Sequence, residues 1–198
     1  MPWQEERMKK KINLLVAAGA LMVFAGVAAI VLTNISAEKN LDAAVQTAEK
    51  IQQMLPPATA GLEDVYSSAE MAVFNVDGSD YAALIKTEKY GVMLPVKNVW
   101  NSRTLPECPQ RFYGSCYSGD MVIGGSDSQL GLVTKLDIGD KITVTDMLGA
   151  EFDYSVARID RSKTAGSEKL INEEYCLTIF ARDSKTSDYI IVRCAKAV

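Results

Sequence analysis

The pattern of polar and apolar positions begins with a long uncharged stretch near the N-terminus. No charged side chain interrupts residues 12–35, and a helix needs about 20 apolar residues to cross the hydrocarbon core of a bilayer. Arg7 and the lysines at 9–11 precede the stretch, so the positive-inside rule predicts residues 1–11 in the cytoplasm and the remainder outside. The stretch exceeds the apolar part of a normal signal peptide, and no small-x-small cleavage site follows closely. This pattern favours an uncleaved, single-pass transmembrane helix in the plasma membrane.

The next segment, residues 36–55, has its apolar residues at helical spacing. These residues are Leu41, Ala44, Val45, Ala48, Ile51 and Leu55. Ser36 is placed to cap this helix, and Pro56 with the proline after it ends the helix. Residues 56–64 have the composition of a linker. We therefore predict a helical stalk and a Pro-rich linker over 36–64, with a helix packed on the following domain as the alternative.

From about residue 65 the pattern changes to short apolar or alternating runs between Gly, Asp, Asn and Ser clusters. The candidate strands cover 70–76, 81–86, 91–96, 120–124, 141–146, 151–160, 174–182 and 188–195. About eight strands at this spacing are typical of a β-sandwich or a β-barrel. Residues 128–137 are predicted as a short helix or a turn. Residues 65–198 are therefore predicted as one mainly β domain.

The last two candidate strands are joined by the polar residues 183–187, which suit a hairpin loop. One register of this hairpin places Cys176 opposite Cys194, within reach of a cross-strand disulfide. A register shifted by one residue places Arg182 opposite Tyr189 and misaligns the two cysteines. The sequence does not choose between the two registers, although a slip of one residue exchanges the faces of a strand.

Composition narrows the chemistry that the chain can perform. The 198 residues include no histidine, which excludes every mechanism that needs an imidazole base, acid or metal ligand. A net charge of −4 disfavours general binding to the phosphate backbone, so no nucleic-acid partner is predicted. The cysteines lack the spacing of a metal site, and Gly124-Gly125 lacks the Lys-Ser/Thr and the helix of a phosphate loop. No metal and no cofactor are predicted.

All four cysteines are candidates for disulfide bonds if the domain lies outside the cell. Cys108 and Cys116 bracket a short segment, whereas Cys176 and Cys194 fall on the last two candidate strands. A local bond between the first two is the favoured interpretation. The connectivity of the four stays open.

Aromatic and basic side chains cluster around the first cysteine pair. They are Trp100, Arg103, Arg111, Phe112, Tyr113 and Tyr117. Because Tyr, Trp and Arg are enriched in binding hot spots, these residues are candidates for a partner-binding surface. The alternative interpretation is that they pack a loop onto the β domain.

Residues 120–160 resemble the middle of a sortase domain. The matching pieces are Val122-Ile123-Gly124-Gly125, Leu136-Asp137-Ile138-Gly139-Asp140 and Phe152-Asp153-Tyr154-Ser155-Val156, with Gly149 in the turn before the last. Weaker matches in the same order extend the resemblance over roughly 70–198. The resemblance implies a sortase-like eight-stranded β-barrel over residues 65–198, held outside the cell by the membrane helix. It also implies a Gram-positive-type bacterium as the source.

The departures from the sortase pattern fall on the residues that carry its chemistry. Sortases use a cysteine nucleophile, a histidine that exchanges protons, and an arginine that binds substrate and oxyanion. The matching positions here hold Arg182 for the cysteine, Ser126 for the histidine and Tyr189 for the arginine. An arginine side chain is protonated at any working pH and is no nucleophile. The resemblance therefore implies a catalytically inactive cell-surface binding or scaffold module, with a sorting-signal peptide or a cell-surface protein as partner.

Two other functions stay open. An atypical cysteine transpeptidase would use Cys176, which shares a strand face with Arg182 and has Arg193 on the neighbouring strand. At an ordinary pKa its thiol would be mostly protonated at neutral pH. A pilin-like subunit of a surface filament would also combine an apolar N-terminal helix with a β domain. This chain lacks the Gly-Phe cleavage site and the early Glu of such helices.

Overall fold

The computed structural model describes residues 2–57, 70–131 and 135–197, with the backbone alone for residues 2–21, 24, 27, 28, 30, 31 and 128. The chain divides into two units, residues 1–39 and residues 40–198. The first unit is the N-terminal part of a helix. The second unit holds the C-terminal part of that helix and all the described strands.

The second unit is built mainly from short β-strands. In chain order the elements are α1 (Pro2–Met54), β1 (Phe74–Val76), β2 (Ser79–Thr87), β3 (Val92–Lys97), β4 (Gln110–Tyr113), β5 (Met121–Gly125), α2 (Asp127–Leu130), β6 (Lys141–Asp146), β7 (Glu151–Ser162), α3 (Ser167–Leu170), β8 (Leu177–Arg182) and β9 (Tyr189–Lys196). The two short helices lie in connections between strands. The mainly β fold class predicted from the sequence is confirmed.

Eight of the nine strands that the structure describes close into a barrel. The strand order is β1-β2-β3-β4-β5-β8-β9-β7-β6, and β6 also pairs with β2. This last pairing sets Ala83 opposite Asp146 and joins the two ends of the sheet. Strand β1 lies outside the ring and pairs with the start of β2 across a turn in which Asp77 and Gly78 have positive φ. Ring closure satisfies the backbone groups that a sheet edge would expose.

The eight candidate strands correspond to β1, β2, β3, β5, β6, β7, β8 and β9, and β6 has the predicted bounds. Strand β4 was not predicted, because Gln110–Tyr113 lies between the first two cysteines in a segment interpreted as a loop. It pairs in parallel with β3 through Lys97 and in antiparallel with β5. Helix α2 confirms a short helix at the start of 128–137, of which residues 132–134 lie outside the described ranges.

The hairpin of β8 and β9 adopts the second of the two registers. Arg182 lies opposite Tyr189, and Leu177 lies opposite Cys194. The register that would set Cys176 directly opposite Cys194 is therefore not formed. The hairpin brings an arginine and a tyrosine together at the end of the two strands.

The C-terminal part of α1 belongs to the core of the β unit. Ala48 and Ile51 have no exposed surface and Ala44 is 4% exposed, with Leu41 and Val45 packed beside them. The prediction of a stalk over this segment is wrong, and the alternative of a packed helix is correct, because its apolar stripe needs a partner surface.

Two further expectations concern the flanks of this helical segment. Ser36 does not begin a helix, because α1 runs through it and its Oγ donates to the Leu32 carbonyl at 2.9 Å. Residues 58–64 of the expected linker lie outside the described residues.

Within the part of the chain that the structure describes, no helix combines the length and hydropathy that a membrane crossing requires. The predicted span 12–35 includes side chains that are not described.

A second, smaller apolar cluster covers the outer face of the barrel. Strand β8 is buried on both faces: Leu177 and Ile179 belong to the barrel interior, whereas Phe180 lies in the outer cluster. The other fully buried members of this outer cluster are Val122, Leu170 and Ile191, and half-buried members include Trp100, Phe112, Ile171 and Tyr189. These residues come from β4, β5, β8, β9, α3 and the connections between strands. We call this the outer cluster.

Candidate functional site

The three positions singled out by the resemblance lie together at one end of the outer cluster. Strands β5 and β8 run in parallel with Gly125 opposite Ala181, so Ser126 and Arg182 follow at neighbouring positions. Tyr189 begins β9 directly opposite Arg182. Paired residues in a ladder have Cβ atoms about 5 Å apart. Ser126, Arg182 and Tyr189 therefore form one small polar site, which we call the strand-end site.

The side chain of Arg182 is exposed, and one of its nitrogens makes a hydrogen bond. Its Nε donates to the Ser187 carbonyl at 3.1 Å, within the loop that joins β8 and β9. Tyr189 is half-buried, and its ring centroid lies 6.5 Å from that of Phe180. Ser126 is half-buried at the N-terminus of α2. The guanidinium is thus the most accessible group of the strand-end site.

The loop between β8 and β9 is fastened to the residue after Ser126. Ser184 donates to Asp127 Oδ2 from its hydroxyl at 2.5 Å and from its backbone N–H at 3.3 Å. Asp183 accepts from the backbone N–H of Lys185 at 2.8 Å, and this bond holds the pKa of its carboxyl below the usual range. The contact between Asp127 and Ser184 could not be predicted from the sequence, because the two residues are far apart in the chain.

Three of the four thiols lie away from solvent. Cys108, Cys116 and Cys194 are 3%, 1% and 0% exposed, and burial raises their thiol pKa values to about 11, 12 and 12. Cys176 is half-buried and immediately precedes β8, whereas Arg182 ends it. Six residues of strand span about 20 Å, so Cys176 is remote from the strand-end site. No thiol of the chain has an accessible position beside Arg182.

The four cysteines, all within the described residues, are free thiols. The expected disulfides are therefore not formed in this structure. For Cys176 and Cys194 the physical reason is the register, which aligns Leu177 with Cys194. Cys108 and Cys116 lie on either side of β4, a strand that separates them instead of a loop that would bring them together.

We expect thiol-reactive reagents to distinguish Cys176 from the other cysteines. At pH 8 the buried thiols are almost entirely protonated and inaccessible, so Cys176 should react at least about tenfold faster than Cys108, Cys116 or Cys194. Time-resolved alkylation followed by peptide mass spectrometry measures the four rates. Unfolding in guanidinium chloride is the control and should equalise them. Faster modification of any buried cysteine in the folded chain would contradict the prediction.

Aromatic rings from distant parts of the chain meet in the outer cluster. Trp100 and Phe112 pack edge to face at 5.2 Å, and each lies within 6 Å of the Phe180 ring, at 5.6 and 5.7 Å. Gly124 on β5 lies beneath them, and a Cβ there would come within 2.5 Å of both Phe180 and Trp100. The absence of a side chain at Gly124 is what lets the rings reach the sheet.

Substituting Gly124 with alanine tests this packing. We expect Gly124→Ala to lower the free energy of unfolding by about 1–3 kcal/mol, because the rings must shift to admit a methyl group. Chemical denaturation of the full chain measures the change. In a Trp100→Ala background the same substitution should cost less, since one of the two clashing rings is gone. Equal losses in both backgrounds would disprove the role assigned to Trp100.

The remaining candidates for a partner-binding surface differ in their contacts and exposure. Arg111 donates from Nε and Nη2 to Asn98 at 3.2 and 2.8 Å and from Nη1 to the Gly114 carbonyl at 3.0 Å, so it clamps its own segment. Tyr117 donates to the buried carboxylate of Asp146 at 2.6 Å. Arg103 and Tyr113 are exposed. Only Trp100 and Phe112 of this set lie in the outer cluster.

A buried arginine on β9 links the barrel to the segment between β7 and β8. Arg193 is 7% exposed; it donates to Asp160 Oδ2 at 2.8 Å and to the Lys169 carbonyl at 2.6 Å. Its Nη1 is buried without a partner among the described residues. Arg158 donates to the other oxygen of Asp160 at 2.7 Å. The contact with Lys169 holds α3 over the outer cluster, and it could not be predicted from the sequence.

Comparison with solved structures identifies the architecture. A sortase D5 transpeptidase from Clostridium perfringens superposes with a TM-score of 0.58 at 20% identity, covering 79% of this chain and 99% of that chain. Sortase C-1 from Actinomyces oris gives 0.53 at 19% identity, covering 82% and 99%. Sortase A from Corynebacterium diphtheriae gives 0.52 at 16% identity, covering 82% and 84%. The chain has a sortase-like fold.

The sortase-like fold agrees with the resemblance read from residues 120–160. The expected eight-stranded barrel is confirmed, with β1 as an added strand outside the ring. No protein-family model and no curated protein sequence matches the chain. At these identities the comparison establishes the architecture, and the activity has to be argued from the strand-end site itself.

Proposed function

We propose that the protein is a membrane-anchored cell-surface module that binds an extended peptide with its sortase-like barrel without cleaving it. The anchor is residues 12–35, with residues 1–11 inside and the β domain outside. The peptide would lie along the outer cluster and end at the strand-end site. Sorting-signal peptides and the ends of other cell-surface proteins are the partners that fit this arrangement.

The observation that carries this proposal is a guanidinium without a neighbouring thiol. Acyl transfer through a thioester needs a thiolate within reach of the scissile carbonyl and a group that moves protons. The strand-end site offers Arg182, Ser126 and Tyr189, and the half-buried thiol, Cys176, lies about 20 Å away along β8. A positioned guanidinium and phenol bind carbonyl or carboxylate oxygens, which supports binding without covalent chemistry.

A second candidate is a transpeptidase that uses Cys176. The observation in its favour is that Cys176 alone among the four cysteines is not fully buried, with Arg193 on the adjacent strand. Against it, the Arg193 side chain is engaged by Asp160 and the Lys169 carbonyl, and its remaining nitrogen, Nη1, is buried away from solvent and from a substrate oxyanion.

Two measurements on the full chain in detergent micelles separate these functions. Titration with a sorting-signal peptide should show saturable binding, and incubation with the peptide and an amine should leave both unchanged. Mass spectrometry of the chain should show no acyl adduct on Cys176, and Cys176→Ala should bind as tightly as the parent. An acyl adduct on Cys176 would establish the transpeptidase instead. Absence of binding at millimolar peptide would remove the peptide-binding proposal.

A further inference from the structure

We propose that the ligand recognised at the strand-end site is a carboxylate, and specifically the free C-terminal carboxylate of an extended peptide, bound by the guanidinium of Arg182. This inference rests on the proposed peptide-binding function and names the chemistry of the peptide's end. It makes the protein a receptor for peptides that have already been cut or that end naturally at this point.

The guanidinium of Arg182 has hydrogen-bond donors that no described residue uses. Within the described ranges its side chain makes one hydrogen bond, from Nε to the Ser187 carbonyl, and that bond orients the planar group. Both terminal nitrogens remain available, and the side chain is exposed. An oriented guanidinium presents two parallel N–H donors, and this geometry matches the two oxygens of a carboxylate.

Two acidic side chains near Arg182 are engaged by other groups. Asp127 accepts two hydrogen bonds from Ser184, and Asp183 accepts from Lys185 and lies 3.7 Å from Arg161 Nη1. Among the described residues, no ion pair within 4 Å includes Arg182. Asp127 and Asp183 thus have local partners, and the Arg182 guanidinium has no anionic partner among the described residues.

An apolar surface lies next to the Arg182 guanidinium. Tyr189, directly opposite Arg182, is half-buried, and its ring connects the strand-end site to Phe180 and the outer cluster. The half-buried edges of Trp100 and Ile171 border the same surface. A peptide that ends at Arg182 would place apolar side chains on this cluster. A carboxylate that contacts only an exposed arginine gains little binding free energy, so the apolar contact is needed for affinity.

The source of the carboxylate is decided by matched peptides. The probe is a sorting-signal peptide truncated at its cleavage site, prepared as the free acid and as the C-terminal amide. A third peptide has the amide end and a glutamate as its last residue, which supplies a side-chain carboxylate instead. We expect the free acid to bind the full chain about threefold to fivefold more tightly than either amide, because an exposed ion pair of good geometry contributes up to about this factor.

Variants of the loop assign the effect to one side chain. Arg182→Gln should abolish the preference for the acid over the amide, and Arg182→Lys, which keeps the charge but loses the paired donors, should reduce it. Lys185→Gln removes an exposed cation from the same loop and should leave the preference intact. Both positions are exposed, so circular dichroism is expected to show an unchanged fold for all three variants.

Each remaining outcome contradicts a defined part of the inference. Equal binding of acid and amide would overturn carboxylate recognition while leaving peptide binding in place. A preference that survives Arg182→Gln would overturn the role of Arg182, and tighter binding of the glutamate peptide would overturn the C-terminal source. Failure of all three peptides to bind would overturn the proposed function itself.

Discussion

Replacing Ile51 with aspartate is expected to lower the free energy of unfolding of the β unit by at least about 3 kcal/mol. Ile51 has no exposed surface and packs with Ala48 against the barrel core. Truncating a buried isoleucine to alanine already costs about 2–5 kcal/mol, and a buried carboxylate without a partner adds a desolvation penalty. The helix segment would have to leave the barrel to hydrate the charge.

Denaturant titration of the full chain, followed by circular dichroism, measures this loss. The matched control is Gln53→Asp, which adds the same charge to the same helix at an exposed position. The control should stay close to the parent chain in stability. If Ile51→Asp were as stable as Gln53→Asp, the C-terminal part of α1 would not belong to the core, and a free stalk would be the better description.

From the sequence, the packing of this helix segment on the β domain could be predicted only as an alternative to a stalk. The spacing of Ala44, Ala48 and Ile51 indicates an apolar stripe, but a stripe does not say what covers it. The covering surface is formed by strands that lie far along the chain. Periodicity predicts which residues are buried more reliably than it predicts their partners.

A strand could be predicted from the sequence where only one of its faces is buried, because apolar and polar residues then alternate along it. Strand β6 has the burial pattern that alternation requires, with Ile142 and Val144 inside, and its bounds match the prediction. Strand β4 has four residues and no alternation, and it is held by β3 and β5 on its two sides. Such a strand is stabilised by its neighbours, so its own sequence gives little signal.

The register of the last hairpin could not be chosen for a related reason. Strand β8 is buried on both faces from Leu177 to Ala181, so a slip of one residue exchanges one apolar face for another. The resemblance to sortases grouped Ser126, Arg182 and Tyr189 without knowledge of this register. The structure brings the three together because the adopted register sets Arg182 opposite Tyr189.

Replacing Asp160 with asparagine is expected to lower the free energy of unfolding by about 2–3 kcal/mol at neutral pH. The carboxylate accepts from Arg193 at 2.8 Å, and the Arg193 side chain is only 9% exposed. A hydrogen bond to a charged group contributes about 1.5–3 kcal/mol, and removing one member of a buried pair leaves the other charge uncompensated. The neutral amide keeps the shape of the side chain, so the loss reports charge and hydrogen bonding.

The loss should also depend on pH in a defined direction. Desolvation raises the pKa of the Asp160 carboxyl, but hydrogen bonds from Arg193 and Arg158 outweigh it and hold the pKa below its ordinary value. A carboxyl whose pKa is lowered by folding stabilises the protein above the pKa of the unfolded chain, about 3.9, and loses that effect as pH falls further. The gap between parent and Asp160→Asn should therefore be constant near neutrality and narrow below about pH 4.

A matched control distinguishes this buried pair from surface charge effects. Asp137→Asn removes a carboxylate that bonds to Lys89 at 2.6 Å but is 83% exposed, where solvent screens the interaction. We expect it to cause no comparable loss at neutral pH.

Because Arg193 also holds the Lys169 carbonyl, the Asp160 variant should loosen α3, whose Leu170 belongs to the outer cluster. Faster amide exchange at α3 in that variant, with unchanged exchange in the interior strand β6, is the expected signature. A uniform increase would mean that Asp160 stabilises the barrel as a whole and does not hold this cover in place.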